Sequence, residues 1–142
     1  MALILSIETS TLTSSIALHD QGTLISALDL HIDKSHSEYL TPSVKYLLES
    51  SGIKLNSLDA VAISKGPGSY TGLRIGTSTA KGICYAFDAK LIAINTLEAM
   101  AFGMSKFYKD STLLCPMLDA RRMEVYCTVC RVDMSIIEKT QA

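Results

Sequence analysis

The sequence has 142 residues, of which 48% are hydrophobic, and a formal net charge of −1 at pH 7. This is the length of one ordinary domain, or of one domain and part of another, and it has enough apolar residues for a core. The 13 Lys and Arg residues are balanced by 14 Asp and Glu residues, which excludes a strongly basic nucleic-acid binder.

Three strands come first in the predicted order of elements. Apolar runs predict them at Leu3–Glu8, Ser14–Asp20 and Thr23–Ile32. Because the connections between these runs are short, we expect the strands to form an antiparallel meander.

A helix follows, because apolar residues then recur on one helix face. These residues are Leu40, Val44, Leu47 and Leu48. Ser35 and Glu38 fit a capping box at its start, and Gly52 fits the C′ position at its end. Pro42 either kinks this helix or stands at N1 of a regular part that starts near Thr41.

The remaining elements alternate between strand and helix and then become strands. Strands are predicted at Leu58–Ser64 and Ala89–Asn95, and helices at Thr71–Asp88 and Thr96–Phe107, the second with Thr96 as its N-cap. Three further strands are predicted within 111–120, 121–133 and 135–139. A turn at 120–122 joins the first two of these. A meander followed by βαβ units predicts an α/β fold with a mixed five-stranded sheet flanked by helices. The last strands repeat the opening pattern, so we interpret 1–110 as one domain and 111–142 as the start of a second, similar one.

Four cysteines are present, two of them in a CxxC pattern: Cys84, Cys115, Cys127 and Cys130. The CxxC lies in an expected strand, where this spacing places the two thiols on opposite faces. A zinc site would need a second ligand pair, so packing cysteines are favoured. We expect a soluble, cytoplasmic protein, because the thiols are expected to be reduced and the sequence shows neither an apolar run of about 18 residues nor a signal-peptide pattern.

A glycine-rich loop, AISKGPGSYTGLRIG, occupies residues 62–76. It follows a strand and opens a helix, a place where backbone N–H groups can bind a phosphate. Its spacing fits neither the P-loop nor the GxGxxG pattern, because Thr71 stands where each pattern needs a glycine. Spacing alone therefore gives weak support for a phosphate site.

The helix after this loop carries a strip of small residues, Gly72, Gly76 and Ala80, at i, i+4 and i+8. Such a strip lets another backbone approach closely, either the chain's own sheet or a helix of another chain. An apolar stripe on a different face can serve the sheet; its members are Ile75, Thr79, Ile83 and Phe87. We therefore favour the strip as a helix–helix interface with another chain.

Several stretches in this order resemble one protein family. They are ILSIETSTLTSSIAL, HSEYLTPSVKYLLESSG, AISKGPGSYTGLRIGTSTAKGI, INTLEAMA and LDARRMEVY. Together they resemble the bacterial TsaB (YeaZ) family over essentially the whole chain, although family members are longer. The resemblance implies a ribonuclease H-like, actin-like ATPase fold and a role in making threonylcarbamoyladenosine on tRNA.

The resemblance also implies that this chain is not itself the catalyst. It implies a heterodimer with the related transferase TsaD, assembled with the ATPase TsaE, and a homodimer when alone, with tRNA contacted only indirectly. ATP and metal are expected on the catalytic partner, so no cofactor is expected here. The implied interface uses the first two helices, and we place it at His36, Leu40, Val44, Leu47, Gly72, Gly76 and Ala80.

Catalytic and metal-binding residues are not expected in this chain. TsaD carries a His-x-x-x-His metal motif, and its two ligand positions fall here on Thr96 and Met100. The hydroxyl-rich turn after the first strand takes the place of a phosphate loop, where Glu8 would be placed to hold a metal-bound water. A vestigial phosphate site would then comprise Thr9, Ser10, Gly66, Gly68 and Ser69. We favour the alternative, in which the hydroxyls of this turn satisfy its own backbone.

Two enzyme classes remain as alternatives. The first is an ATP-binding hydrolase of the actin-like fold that uses Glu8, Thr9 and the Gly66–Gly68 loop. The second is a peptidase of the glycoprotease type, but Ser69 does not lie in a G-x-S-x-G elbow. The three histidines, His19, His31 and His36, form no recognisable catalytic or metal-binding pattern.

Overall fold

The computed structural model describes residues 2–31 and 36–141, with the side chain of His36 left undescribed. Its strands are β1 (Leu3–Glu8), β2 (Ser14–Asp20), β3 (Thr23–Leu30), β4 (Ala60–Ser64), β5 (Lys90–Ile94), β6 (Leu113–Leu114), β7 (Met117–Arg121), β8 (Glu124–Arg131) and β9 (Ile136–Gln141). Its helices are α1 (His36–Ser50), α2 (Tyr70–Phe87) and α3 (Thr96–Ser105), and a single 3₁₀ turn spans Leu55–Ser57. The predicted capping box lies outside the described residues, because it includes Ser35.

The chain divides into two compact units, the first comprising the residues up to Lys65 together with Ser69–Ala93. The strands run in the order β3-β2-β1-β4-β5. Neighbours β1, β2 and β3 pair antiparallel, whereas β1 and β4 pair parallel. The predicted mixed five-stranded sheet flanked by helices is therefore confirmed.

Helix α1 covers this sheet with the apolar face that the sequence predicts. Leu40, Val44 and Leu47 belong to one core cluster with buried residues of β1, β2 and β4. The helix starts at His36 and continues through Pro42, so a regular start at Thr41 is not observed.

The end of α1 also follows the sequence prediction. Gly52 has φ 68°, its N–H donates to the Glu49 carbonyl, and the Ile53 N–H donates to the Leu48 carbonyl. These two bonds form the Schellman motif, in which glycine takes the left-handed conformation at C′.

The second unit comprises Gly66–Gly68 and the chain from Ile94 onward. Strand β8 lies at the centre of a four-stranded antiparallel sheet, pairing with β6 and β7 on one side and with β9. Helix α3 contacts β8. By these contacts the division between the units falls near residue 93 rather than at 110, and α3 belongs with the later strands.

Three local predictions in this second unit need correction. The N-cap of α3 is Asn95 rather than Thr96, because the Asn95 Oδ1 accepts the N–H groups of Leu97 and Glu98. The strand predicted at 111–120 is interrupted at Cys115 and Pro116, where the proline has no N–H for the ladder. The following turn lies at 122–123 instead of 120–122.

The CxxC cysteines pack as the strand prediction requires. Cys130 is fully buried beside Leu114, and Cys127 lies on the other face of β8. Burial raises the pKa of the Cys130 thiol, which keeps it protonated at neutral pH. Within residues 2–31 and 36–141, no group of three or more His, Cys, Asp and Glu side chains could hold a metal ion. No helix in these ranges is long and apolar enough to cross a membrane.

Candidate functional site

The turn after β1 is held at the end of the sheet by one carboxylate. The Glu8 Oε1 accepts the Ser10 N–H at 2.6 Å, and its Oε2 accepts the Ser64 hydroxyl at the end of β4. Both carboxylate oxygens are thus used inside the chain. Glu8 therefore fixes the turn after β1 to the end of β4.

The start of α2 is attached to the same turn. The Ser69 N–H donates to the Ser10 carbonyl at 2.6 Å. Ser69 is the N-cap of α2, and its Oγ accepts the Gly72 N–H at 3.3 Å. The hydroxyl of Ser69 therefore satisfies a helix terminus, the ordinary role of serine at this position.

The small-residue strip of α2 faces the chain's own sheet. Gly72, Gly76 and Ala80 are all buried. A Cβ on Gly72 would meet the backbone oxygen of Thr9 at under 3.0 Å, a distance that real Cβ contacts essentially never show. A Cβ on Gly76 would meet the Thr9 Oγ1 equally closely, and the Ile63 Cδ1 at 2.9 Å. The prediction that this strip is a free interface is wrong; it allows α2 to pack on β4 and the turn after β1.

The α1 residues placed at the interface are also core residues. Leu40, Val44 and Leu47 are between 1% and 3% exposed. They could contact a partner only if α1 left the sheet, so their assignment to a free interface is wrong. His36 was placed at the same interface, and its side chain lies outside the described residues.

Exposed aromatic side chains of the same two helices were missed by the sequence analysis. Tyr39 and Tyr46 of α1 are 43% and 64% exposed, and Tyr85 of α2 is 95% exposed. Tyr39 and Tyr46 lie seven residues apart, so they share one helix face outside the apolar register. That spacing is the sequence signal that could have identified them.

The residues assigned to a vestigial phosphate site divide between the two units. Thr9 and Ser10 belong to the first unit and are only 0% and 3% exposed, and neither hydroxyl has a hydrogen-bond partner among the described residues. They are closed off from solvent and cannot contact a phosphate in this conformation. Gly66 and Gly68 belong to the second unit, where the Gly66 carbonyl accepts the Thr96 N–H at 3.0 Å.

The two positions that are expected to correspond to metal ligands in the related transferase TsaD have different surroundings. Thr96 is buried, at 2% exposed. Met100 lines a largely apolar pocket of about 330 Å³, together with Ala101, Met104, Tyr108 and the segment 112–116. A buried hydroxyl and a thioether are not the nitrogen and carboxylate ligands that Zn²⁺, Fe or Mg²⁺ prefer.

A rescue experiment tests the contact between Gly76 and Thr9. Gly76→Ala is expected to cost about 1–3 kcal/mol of unfolding free energy, because the new Cβ overlaps the Thr9 Oγ1. Thr9→Ala removes that oxygen and leaves the contact with the Ile63 Cδ1, so the double variant should recover part of the loss. Urea denaturation of the two single variants and the double variant measures the coupling. Additive losses would show that Gly76 does not pack on Thr9.

Comparisons with known proteins agree with this fold. A family model described as "TsaD: tRNA N6-adenosine threonylcarbamoyltransferase" matches residues 31–141. The chain is 35% identical over 136 residues to the Bacillus subtilis "tRNA threonylcarbamoyladenosine biosynthesis protein TsaB", covering 96% of this chain and 58% of that protein. The Escherichia coli protein of the same name is 36% identical over 123 residues, covering 87% and 52%. The chain belongs to the TsaB/YeaZ family, within the TsaD-like superfamily.

Solved structures support the same assignment. YeaZ from Pseudomonas aeruginosa superposes with a TM-score of 0.89 at 28% identity, covering 99% of this chain and 67% of that one. RuvC of Thermus thermophilus superposes with a TM-score of 0.51 at 9% identity, which shows a shared fold alone. The ribonuclease H-like, actin-like fold expected from the sequence is confirmed. The chain spans a little over half the length of the TsaB relatives named above.

Proposed function

We propose that this chain acts in the formation of threonylcarbamoyladenosine on tRNA as a non-catalytic partner of TsaD, in the cytoplasm. Its membership of the TsaB/YeaZ family supports the pathway. The observation that carries the non-catalytic role is the pair Thr96 and Met100, because a buried hydroxyl and a pocket-lining thioether stand where the catalytic relative is expected to bind metal.

The two enzyme alternatives receive no comparable support. Glu8 is hydrogen-bonded to Ser10 and Ser64, and the buried Thr9 hydroxyl is closed to a nucleotide in this conformation. Ser69 caps α2. In the part of the chain that the structure describes, no hydrogen bond joins a serine to a histidine, the pairing that activates a serine nucleophile.

We place the partner-binding surface on the exposed faces of α1 and α2. Tyr39, Tyr46 and Tyr85 expose large aromatic side chains there. Tyrosine is enriched at protein interfaces because it combines a large apolar ring with a polar tip. The same surface would serve a homodimer when TsaD is absent, and TsaE would join the complex with TsaD.

Complex formation with TsaD tests the proposal directly. We expect the chain mixed with TsaD of the same organism to elute as a one-to-one complex in size-exclusion chromatography with light scattering, displacing any homodimer. Absence of that complex would contradict the partner role for this chain. Mg²⁺-dependent ATP binding by the chain alone, measured by calorimetry, would instead favour the hydrolase.

A further inference from the structure

The tip of the β7–β8 hairpin has an unusual backbone for its sequence. Arg121, Arg122 and Met123 have φ values of 68°, 54° and 66°, three consecutive non-glycine residues in the left-handed region. Arg122 and Met123 form a two-residue loop between the paired residues Arg121 and Glu124. Positive φ at both loop residues is the requirement of the type I′ turn, which strongly favours Asn-Gly. This hairpin therefore adopts the conformation without either of the residues that favour it.

Two other places in the chain show how such strain is normally avoided or offset. The two-residue loop between β2 and β3 also has positive φ at both positions, but glycine occupies the second, Gly22. Met134 has φ 68°, but it packs on the cluster of Ala101, Leu114 and Cys130. Met123, in contrast, is fully exposed at 103%, so no packing within the chain offsets its conformation.

The side chains at this tip are the types that bind other proteins. Arg121 and Arg122 are exposed, and neither forms an ion pair with another residue of the described chain. The Asp119 Oδ1 accepts the Arg121 N–H at 2.7 Å, a bond that fixes the backbone at the start of the turn. Arginine and methionine are enriched at protein–protein interfaces, and strained backbone conformations cluster at active sites, ligand clamps and switch regions.

We propose that the hairpin tip, defined as Arg121, Arg122 and Met123, is a docking element for a protein partner. The Met123 side chain would enter an apolar pocket of the partner, and the two guanidinium groups would bind carboxylates at its rim. A protein is favoured over RNA because Asp119 and Glu124 balance the two arginines and the whole chain has a net charge of −1. The inference rests on the proposed function, since TsaD is the protein against which it is tested.

The experiment compares three variants with the unmodified chain. Arg122→Asn/Met123→Gly gives the tip the preferred turn residues, so its thermal unfolding midpoint should rise by several degrees. The same variant should bind TsaD at least about tenfold more weakly in calorimetry. Met123→Gln keeps the strained backbone, so it should weaken binding without raising the midpoint. Gln21→Asn is the matched control in the β2–β3 turn and should leave TsaD binding unchanged.

The outcomes separate the inference from the proposed function. If the unmodified chain binds TsaD and the Asn-Gly variant binds equally well, the docking element is overturned and the partner role stands. If the Asn-Gly variant is no more stable than the unmodified chain, the tip is not strained and the inference is overturned. If the unmodified chain does not bind TsaD, the proposed function fails and the inference fails with it. If the unmodified chain binds bulk tRNA in a salt-dependent way, and the Asn-Gly variant loses that binding but still binds TsaD, the partner of the hairpin tip is RNA rather than a protein.

Discussion

Gly72→Ala is expected to destabilise the chain by about 3 kcal/mol or more, the upper end of what overpacking costs. The added Cβ would overlap the backbone oxygen of Thr9, and a backbone atom cannot rotate away as a side chain can. Thr9 itself is held, because its neighbours Glu8 and Ser10 bond to Ser64 and Ser69. Relief of the overlap would therefore require α2 to move away from the sheet.

Gly82→Ala is the matched control, because the same substitution is made in the same helix without a steric conflict. A Cβ at Gly82 meets nothing within 4 Å. Alanine should therefore stabilise α2 by up to about 1 kcal/mol through its higher helix propensity. Urea or thermal unfolding of both variants gives the comparison. Equal stability of the two variants would show that Gly72 is not in close contact with the turn after β1.

The sequence predicts the first sheet well because its signals are local. Apolar runs mark the strands, a period of 3.6 residues marks the apolar face of α1, and Gly52 marks the end of that helix. These signals come from the residues of each element and do not depend on what packs against it. The ends of α2 and β5 accordingly fall within one residue of their predicted places.

The misplaced features depend on contacts that are distant in the chain or on unusual backbone. The strip of Gly72, Gly76 and Ala80 shows that something approaches α2 closely, but periodicity cannot distinguish Thr9 of the same chain from a partner. The predicted position of the β7–β8 turn is wrong because Arg122 and Met123 lack the Gly or Asn that marks a left-handed turn. Asn95 was missed as a cap because Thr96 is also a cap former.

The apolar face of α1 illustrates the same limit for the candidate interface. Leu40, Val44 and Leu47 were identified correctly as one face and then assigned to a partner, whereas the five-stranded sheet already covers them. The residues available to a partner are those that break the apolar pattern, such as Tyr39 and Tyr46. The polar face of α1 is thus the face that a partner can reach, because the sheet already covers the apolar face.

Substitutions at two neighbouring residues of α1, Tyr46 and Leu47, should distinguish a position in the core from a position on the proposed binding surface. Leu47→Ala should cost about 2–5 kcal/mol of unfolding free energy, because Leu47 is 2% exposed and its truncation leaves a cavity. Tyr46→Ala should change stability by less than about 0.5 kcal/mol, since Tyr46 is 64% exposed. Under the proposed function, the same Tyr46 variant should weaken TsaD binding by about 2 kcal/mol, the size of a hot-spot residue.

The two variants are compared by urea denaturation and by calorimetric titration with TsaD. Leu47→Ala should still bind TsaD at a temperature where it remains folded, because its side chain contacts only the chain's own core. If the folded Leu47→Ala variant does not bind TsaD and Tyr46→Ala binds normally, the apolar face of α1 is the interface and the exposed face is not. Such a result would require α1 to leave the sheet when TsaD binds, since Leu40, Val44 and Leu47 are otherwise closed to any partner.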